Sequence, residues 1–196
     1  MSAVTRLAAV AALLLAAPAA GSNRLVPPGT PVTVARSAMK VTPPVEMNRL
    51  GARPGRQAEL WTLDGLPLNR FLLVAGVAAG QPMLRERDRK DRPLPRFDPA
   101  VDATGLFDFF SQSLTAEIPG VTITLVALEP AERGGCSGVI ASWRAVTTED
   151  EVERSGRALL CIRNAQFHAV SLLAPSLHYF ERDRPVWQAL VDSVRF

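Results

Sequence analysis

The chain has 196 residues, of which 22 are basic, 19 are acidic and 47% are apolar. This length corresponds to about one domain, and the composition excludes a collagen, a coiled coil and a fully disordered chain. The formal net charge of +3 is too small to indicate a nucleic-acid partner, and no apolar run beyond the amino terminus approaches the ~18 residues of a membrane span.

Residues 1–19 have the three parts of a secretory signal peptide. A single charge, Arg6, precedes the apolar run 7–17, and Ala17-Pro18-Ala19 matches a cleavage site. The run is shorter than the ~20 residues that cross a bilayer. We therefore expect an exported protein, most simply a periplasmic one; a retained amino-terminal membrane anchor is the alternative.

Residues 20–57 are rich in proline, glycine and arginine. Proline breaks long elements, so we expect only short edge strands here, around 32–35 and 39–41. The remainder, 58–196, is predicted to form a single α+β domain.

The next segment, 58–77, is predicted to form a β-hairpin. Asp64-Gly65 is a typical two-residue turn because both central positions of a type I′ turn need positive φ. The arms are predicted at 59–63 and 68–77.

A charged loop follows at residues 85–92, where the sequence is RERDRKDR. Flanking prolines predict an exposed segment. Its four arginines could contact a polyanion or a membrane surface, although the interleaved acids would weaken that attraction. A solvated loop of self-cancelling charge is the alternative. The possible contact residues are Arg85, Arg87, Arg89 and Arg92.

The period of the apolar pattern then changes from two residues, typical of a strand, to 3.6 residues, typical of a helix. Apolar residues at helical spacing between Leu106 and Leu114 predict a helix, with Asp102 as its N-cap and Pro119-Gly120 at its end. A second helix is predicted to begin at Asp183-Arg184-Pro185. Between the helices lie four predicted strands, at 121–130, 137–146, 155–164 and 166–174. This order favours an antiparallel β-sheet with flanking helices, which is an α+β fold.

The two cysteines invite a disulfide if the protein is exported. A loop between the second and third of these strands centred near 150 or 151 would place Cys161 opposite Ile140. Cys136 would then lie about 13 Å away, which is beyond disulfide reach. A bulge at Gly134-Gly135 could change the register, so the bond Cys136–Cys161 stays possible.

Candidates for chemistry are few. Ser137 or Cys136 with His168 could serve a hydrolase, but the G-x-S-x-G pattern of a nucleophile elbow is broken by Val139. The two histidines lack metal-ligand spacing, and no phosphate-binding glycine loop occurs. We expect no enzyme activity and no cofactor.

The carboxy-terminal half resembles the PsbP-like fold. The resemblance rests on LLAP at 172–175, Tyr179-Phe180, the pair Val186-Trp187 and the terminal Asp192-Ser193-Val194. It implies an α-β-α sandwich and a binding or assembly role without bond-making catalysis. The motif WTLDGLPLN, at 61–69, also resembles a group of small exported bacterial proteins of unassigned function.

Together these features predict an exported, non-enzymatic binding or assembly-accessory protein. Its partner would be an envelope protein or a small ligand, and peripheral membrane contact through residues 85–92 is an alternative. A hydrolase using Ser137 or Cys136 is the other alternative.

Overall fold

A computed structural model describes residues 22–86, 90, 93–150 and 152–196, so the predicted signal peptide lies outside it. The ten strands and two helices are β1 (Arg24–Val26), β2 (Val32–Thr33), β3 (Lys40–Val41), β4 (Met47–Arg49), β5 (Ala58–Thr62), β6 (Arg70–Val77), α1 (Ala103–Glu117), β7 (Val121–Arg133), β8 (Cys136–Thr147), β9 (Arg154–Arg163), β10 (Gln166–Pro175) and α2 (Tyr179–Asp192). Among these described residues, no helix has the length and hydropathy needed to cross a bilayer.

Eight strands form one antiparallel sheet in the order β1-β4-β5-β6-β10-β9-β8-β7. Strands β2 and β3 form a separate small hairpin. The proline-rich segment before residue 58 thus supplies β1 and β4 at one edge of the sheet. The predicted antiparallel α+β class is confirmed.

The two helices cover opposite faces of the sheet, each over its own apolar core. Side chains alternate along a strand, so β10 serves both faces. Phe167 and Ala169 pack on the α1 side, and Val170 and Leu172 pack on the α2 side. The molecule is therefore an α-β-α sandwich.

The first helix begins as the sequence predicts, because the Asp102 carboxylate accepts a hydrogen bond from the Gly105 backbone N–H at 2.8 Å. The second helix begins at Tyr179 rather than at Asp183, so Pro185 lies inside it. That prediction was wrong because Asp183 belongs to the buried face of the helix. Its carboxylate accepts hydrogen bonds from the side chains of Asn69 and Arg182.

The hairpin was predicted correctly, but the predicted position and length of its turn were wrong. Trp61 pairs with Phe71, so the connection runs over residues 63–69 instead of Asp64-Gly65 alone. The buried Asn69 side chain explains the longer loop. Its Oδ1 accepts hydrogen bonds from the Thr62 hydroxyl and the Leu63 N–H, and its amide donates to Asp64. A side chain thus replaces the ladder bonds of a tight turn.

Cys136 and Cys161 form a disulfide, with Cα atoms 5.5 Å apart. The register argument against the bond was wrong by two residues, because Cys161 pairs with Gly138 rather than Ile140. The hairpin loop is centred earlier than predicted, since Ala145 already pairs with Arg154. Cys136 therefore lies two positions from the partner of Cys161 and on the same face of the sheet.

Candidate functional site

The candidate site is a cleft of about 720 Å³ formed by three connections. One joins β2 to β3, one joins β4 to β5, and the long third connection joins β6 to α1. Arginines from all three line the cleft together with a single described acid, Glu86. These arginines are Arg36, Arg53, Arg56, Arg85 and Arg96.

Two of these connections are joined directly at Gly55. A Cβ atom on this residue would lie 2.8 Å from the Met83 carbonyl oxygen, so only glycine allows the backbones to approach this closely. Beside it, the Arg85 N–H donates to the Pro54 carbonyl at 2.7 Å. Arg56 and Arg85 are thereby fixed on neighbouring backbone segments.

The long connection is closed at its base by backbone hydrogen bonds, which support the segments that carry Arg85 and Arg96. The Phe97 N–H donates to the Gln81 carbonyl at 3.0 Å, and the Gly80 N–H donates to the Phe97 carbonyl at 2.8 Å. The Phe97 ring packs between Phe109 and Phe167, with centroids 5.4 and 5.6 Å away. The described segments on either side of the charged loop, 78–86 and 93–102, are thus anchored to an aromatic core.

A buried carboxylate, Glu59, organises the floor behind the cleft. Its Oε1 accepts from the Ala35 N–H at 2.8 Å and pairs with Arg53 at 3.2 Å, and it also contacts Arg49. Its Oε2 accepts from the Trp61 indole N–H at 3.2 Å. A fully buried carboxylate requires such partners, and here they fix Arg53 and the backbone beside Arg36.

The described residues of the cleft carry more positive charge than their acids neutralise. Arg96 forms a bidentate pair with Glu86, at 2.7 and 2.8 Å, and Arg53 is held by Glu59. Arg36, Arg56 and Arg85 have no acidic partner within 4 Å among the described residues. Guanidinium groups bind carboxylates and phosphates through paired hydrogen bonds. The arrangement therefore suits an anionic ligand group.

The structure places only one of the predicted contact residues in this cleft, Arg85. Arg87, Arg89 and Arg92 lie outside the described residues. The other cleft arginines were missed because they come from segments far apart in the sequence, and no local motif joins them. The proline and arginine content of residues 20–57 was the only signal.

The proposed hydrolase residues do not form a reactive group. The Cys136 thiol is consumed by the disulfide. Ser137 is exposed on the α1 side of its strand, whereas His168 lies on the α2 side, where its ring contacts Phe196. Burial lowers the pKa of His168 to about 4, and its Nδ1 accepts from the Gly76 N–H. In the described part of the chain, no three side chains are grouped to hold a metal ion.

No family model matches the chain, and no curated protein matches it. Solved structures do. The cyanobacterial PsbP (CyanoP) of Synechocystis sp. PCC 6803 is 13% identical, with a TM-score of 0.55 over 89% of this chain and 92% of that one.

Two further structures match at lower TM-scores. PA94 of Pseudomonas aeruginosa, described as a putative regulator, is 11% identical with a TM-score of 0.36, over 88% of this chain and 81% of that one. LpqN of Mycobacterium tuberculosis, involved in cell envelope biogenesis, is 10% identical with a TM-score of 0.31, over 92% and 86%. The CyanoP match, together with the antiparallel sheet and its two covering helices, identifies the architecture: this chain has a PsbP-like fold.

Proposed function

We propose that this protein is an exported, non-catalytic binding or assembly-accessory protein that recognises an anionic group of an envelope partner. The observation that carries the proposal is the arginine-lined cleft, in which Arg36, Arg56 and Arg85 face the opening without an acidic partner among the described residues. Unpaired guanidinium groups on a fixed scaffold bind anions without first breaking internal ion pairs.

Two features support export. Residues 1–19 have the pattern of a signal peptide. The bond Cys136–Cys161 is typical of a protein in an oxidising compartment, since cytosolic thiols are kept reduced. A bacterial periplasm satisfies both observations.

A membrane surface is the second candidate partner. It is favoured by Arg85, because this residue joins the cleft to the charged segment 85–92. Basic clusters of this kind are attracted to anionic lipid headgroups, and the attraction weakens with salt.

In-cell photocrosslinking tests the proposal. A photoreactive residue replaces Gln81, which lines the cleft, and in a matched variant it replaces Leu177, which is fully exposed elsewhere. We expect fractionation to recover the protein outside the cytoplasm and position 81 to give discrete protein adducts that position 177 does not. Cytoplasmic retention, or identical adducts from both positions, would contradict the proposal. Lipid adducts from position 81 alone would favour the membrane alternative.

A further inference from the structure

A second cavity, of about 240 Å³, lies apart from the arginine cleft and shares no lining residue with it. It is bounded by the β5–β6 connection, the end of α1 and the β8–β9 loop. Its walls are largely apolar and are formed by Leu66, Pro67, Ile118, Val121, Ala145 and Leu173. This volume is about that of eight water molecules in the liquid.

One charged group that lines this cavity is the Arg70 guanidinium. Arg70 opens β6, is half-buried, and lies opposite Leu173 in the sheet. No carboxylate of the described residues comes within 4 Å of it. Burial lowers the pKa of Arg70 and nearby Arg154 lowers it further, while Glu117, which has a contact of its own, attracts the charge from a longer distance.

The described acids at the rim, Glu149 and Asp150, form no ion pair with Arg70. Asp150 is held by Arg154 and by the Thr147 hydroxyl, which donates to it at 2.5 Å. Glu149 also lines the cavity. Its negative charge would repel a carboxylate at the rim and so favour a bound orientation with the apolar end of the ligand at the rim and the carboxylate inside. Burial removes part of the hydration of the Arg70 guanidinium, so an added carboxylate would give it a hydrogen-bond partner of opposite charge.

We propose that this cavity is a binding site for a small monocarboxylate with an apolar body, such as a short aliphatic acid. The carboxylate would accept hydrogen bonds from the Arg70 guanidinium, and the aliphatic part would pack against the apolar walls. The ligand would then supply a counter-charge that no described residue places within 4 Å of Arg70. This site is independent of the proposed function of the arginine cleft.

The test measures binding of hexanoate and of hexan-1-ol to the full chain by calorimetry and by ligand-detected NMR. Hexan-1-ol has the same number of carbon atoms and no charge. The variants are Arg70→Met, which keeps the length of the side chain without its charge, and Arg70→Lys, which keeps the charge without the paired donors. Arg144→Met, at an exposed arginine outside this cavity, is the matched control.

We expect saturable hexanoate binding that is about tenfold or more tighter than hexanol binding, because a charged hydrogen bond is stronger than a neutral one. Arg70→Met should lose this preference, Arg70→Lys should keep part of it, and Arg144→Met should keep all of it. Non-saturable binding, equal binding of the two probes, or unchanged hexanoate affinity in Arg70→Met would overturn the proposal. If Arg70→Met did not fold, unchanged hexanoate affinity in Arg70→Lys would overturn the proposal. Equal binding of the two probes to the parent protein would also overturn it.

Discussion

Arg53 lies 3.2 Å from the buried carboxylate of Glu59, and this contact joins the core of the sheet to the wall of the arginine cleft. The carboxylate is fully buried, whereas the Arg53 side chain is about one third exposed. A core residue thereby determines where a surface arginine points. This contact explains why the mostly apolar strand β5 carries an acidic residue, Glu59.

Replacing this carboxylate should destabilise the protein. In Glu59→Gln the amide would leave Arg49 and Arg53 without a counter-charge and would present a donor to the Trp61 N–H. We expect the free energy of unfolding to fall by about 2 kcal/mol, which is below the value for a fully buried pair because both arginines reach solvent. Urea unfolding followed by tryptophan fluorescence measures it.

The matched control is Glu181→Gln, at an exposed acid paired with Arg184. Exposed pairs contribute about 0–1 kcal/mol, so this variant should change stability by less than about 0.5 kcal/mol. Equal losses in the two variants would show that Glu59 does not organise the floor of the cleft.

Asn69 should be similarly important for the loop 63–69. Asn69→Ala removes the acceptor for the Thr62 hydroxyl and the donor to the buried Asp183. We expect a loss of about 3 kcal/mol, since several buried polar groups lose their partners at once. Thermal and urea unfolding provide the measurement.

The control for this variant is Asn23→Ala, whose side chain makes one exposed hydrogen bond, to the Gly51 N–H. It should cost less than about 1 kcal/mol. If the control proved the more harmful change, the loop would not depend on Asn69.

Reduction of the disulfide should lower stability by about 3 kcal/mol, because the bond closes a loop over a sequence separation of 25 residues. The measurement is urea unfolding with and without a thiol reductant. The double variant Cys136→Ala, Cys161→Ala should be less stable than the oxidised parent and should not respond to the reductant. Two titratable thiols in protein purified from the periplasm would contradict the assignment of this bond.

His168 should make stability depend on pH in a defined window. Its pKa is lowered to about 4 in the folded protein by burial, whereas the unfolded value is about 6.5. The unfolded chain therefore takes up a proton first as the pH falls, so stability is flat above about pH 6.5 and declines toward pH 4. The total loss from this group is on the order of 3 kcal/mol.

A comparison of the parent with His168→Gln by urea unfolding across this range isolates the effect. The stability difference between the two should narrow as the pH falls from 7 to 4. Asp64, whose pKa is lowered by the hydrogen bond from Arg182, loses its contribution only at more acidic pH. A difference that stays constant over the whole window would mean that the imidazole is not buried in its neutral form.

Much of the fold could be predicted from the sequence because regular elements carry periodic signals. The apolar spacing from Leu106 to Leu114 and the capping Asp102 located α1, and the four carboxy-terminal strands were predicted to within a few residues. The errors lay in two connections. The Asn69 side chain lengthened the predicted turn, and the β8–β9 loop is centred earlier than predicted, which moved the register of Cys161.

The arginine cleft could not be predicted in the same way. Arg36, Arg53 and Arg96 are far apart in the chain, and their segments are brought together by the Glu59 contacts, the close approach at Gly55 and the closure at Phe97. Local sequence indicated Arg85 as one residue of a charged loop, but it gave no sign of Glu59 as the acid that organises the floor. Sites of this kind depend on tertiary contacts that no short motif records.

Heparin binding at several salt concentrations tests the central claim most directly, because it reports whether the cleft itself binds anions. The variant Arg36→Gln, Arg56→Gln, Arg85→Gln removes the three cleft charges that have no acidic partner among the described residues. The matched variant removes the same net charge elsewhere, at Arg24, Arg144 and Arg195. We predict that the cleft variant binds about tenfold or more weakly, since losing one charged hydrogen bond costs about 1.5 kcal/mol, while the matched variant stays close to the parent. An equal loss of heparin affinity in both variants would show that binding depends only on the net charge of the protein, and it would contradict a dedicated anion site.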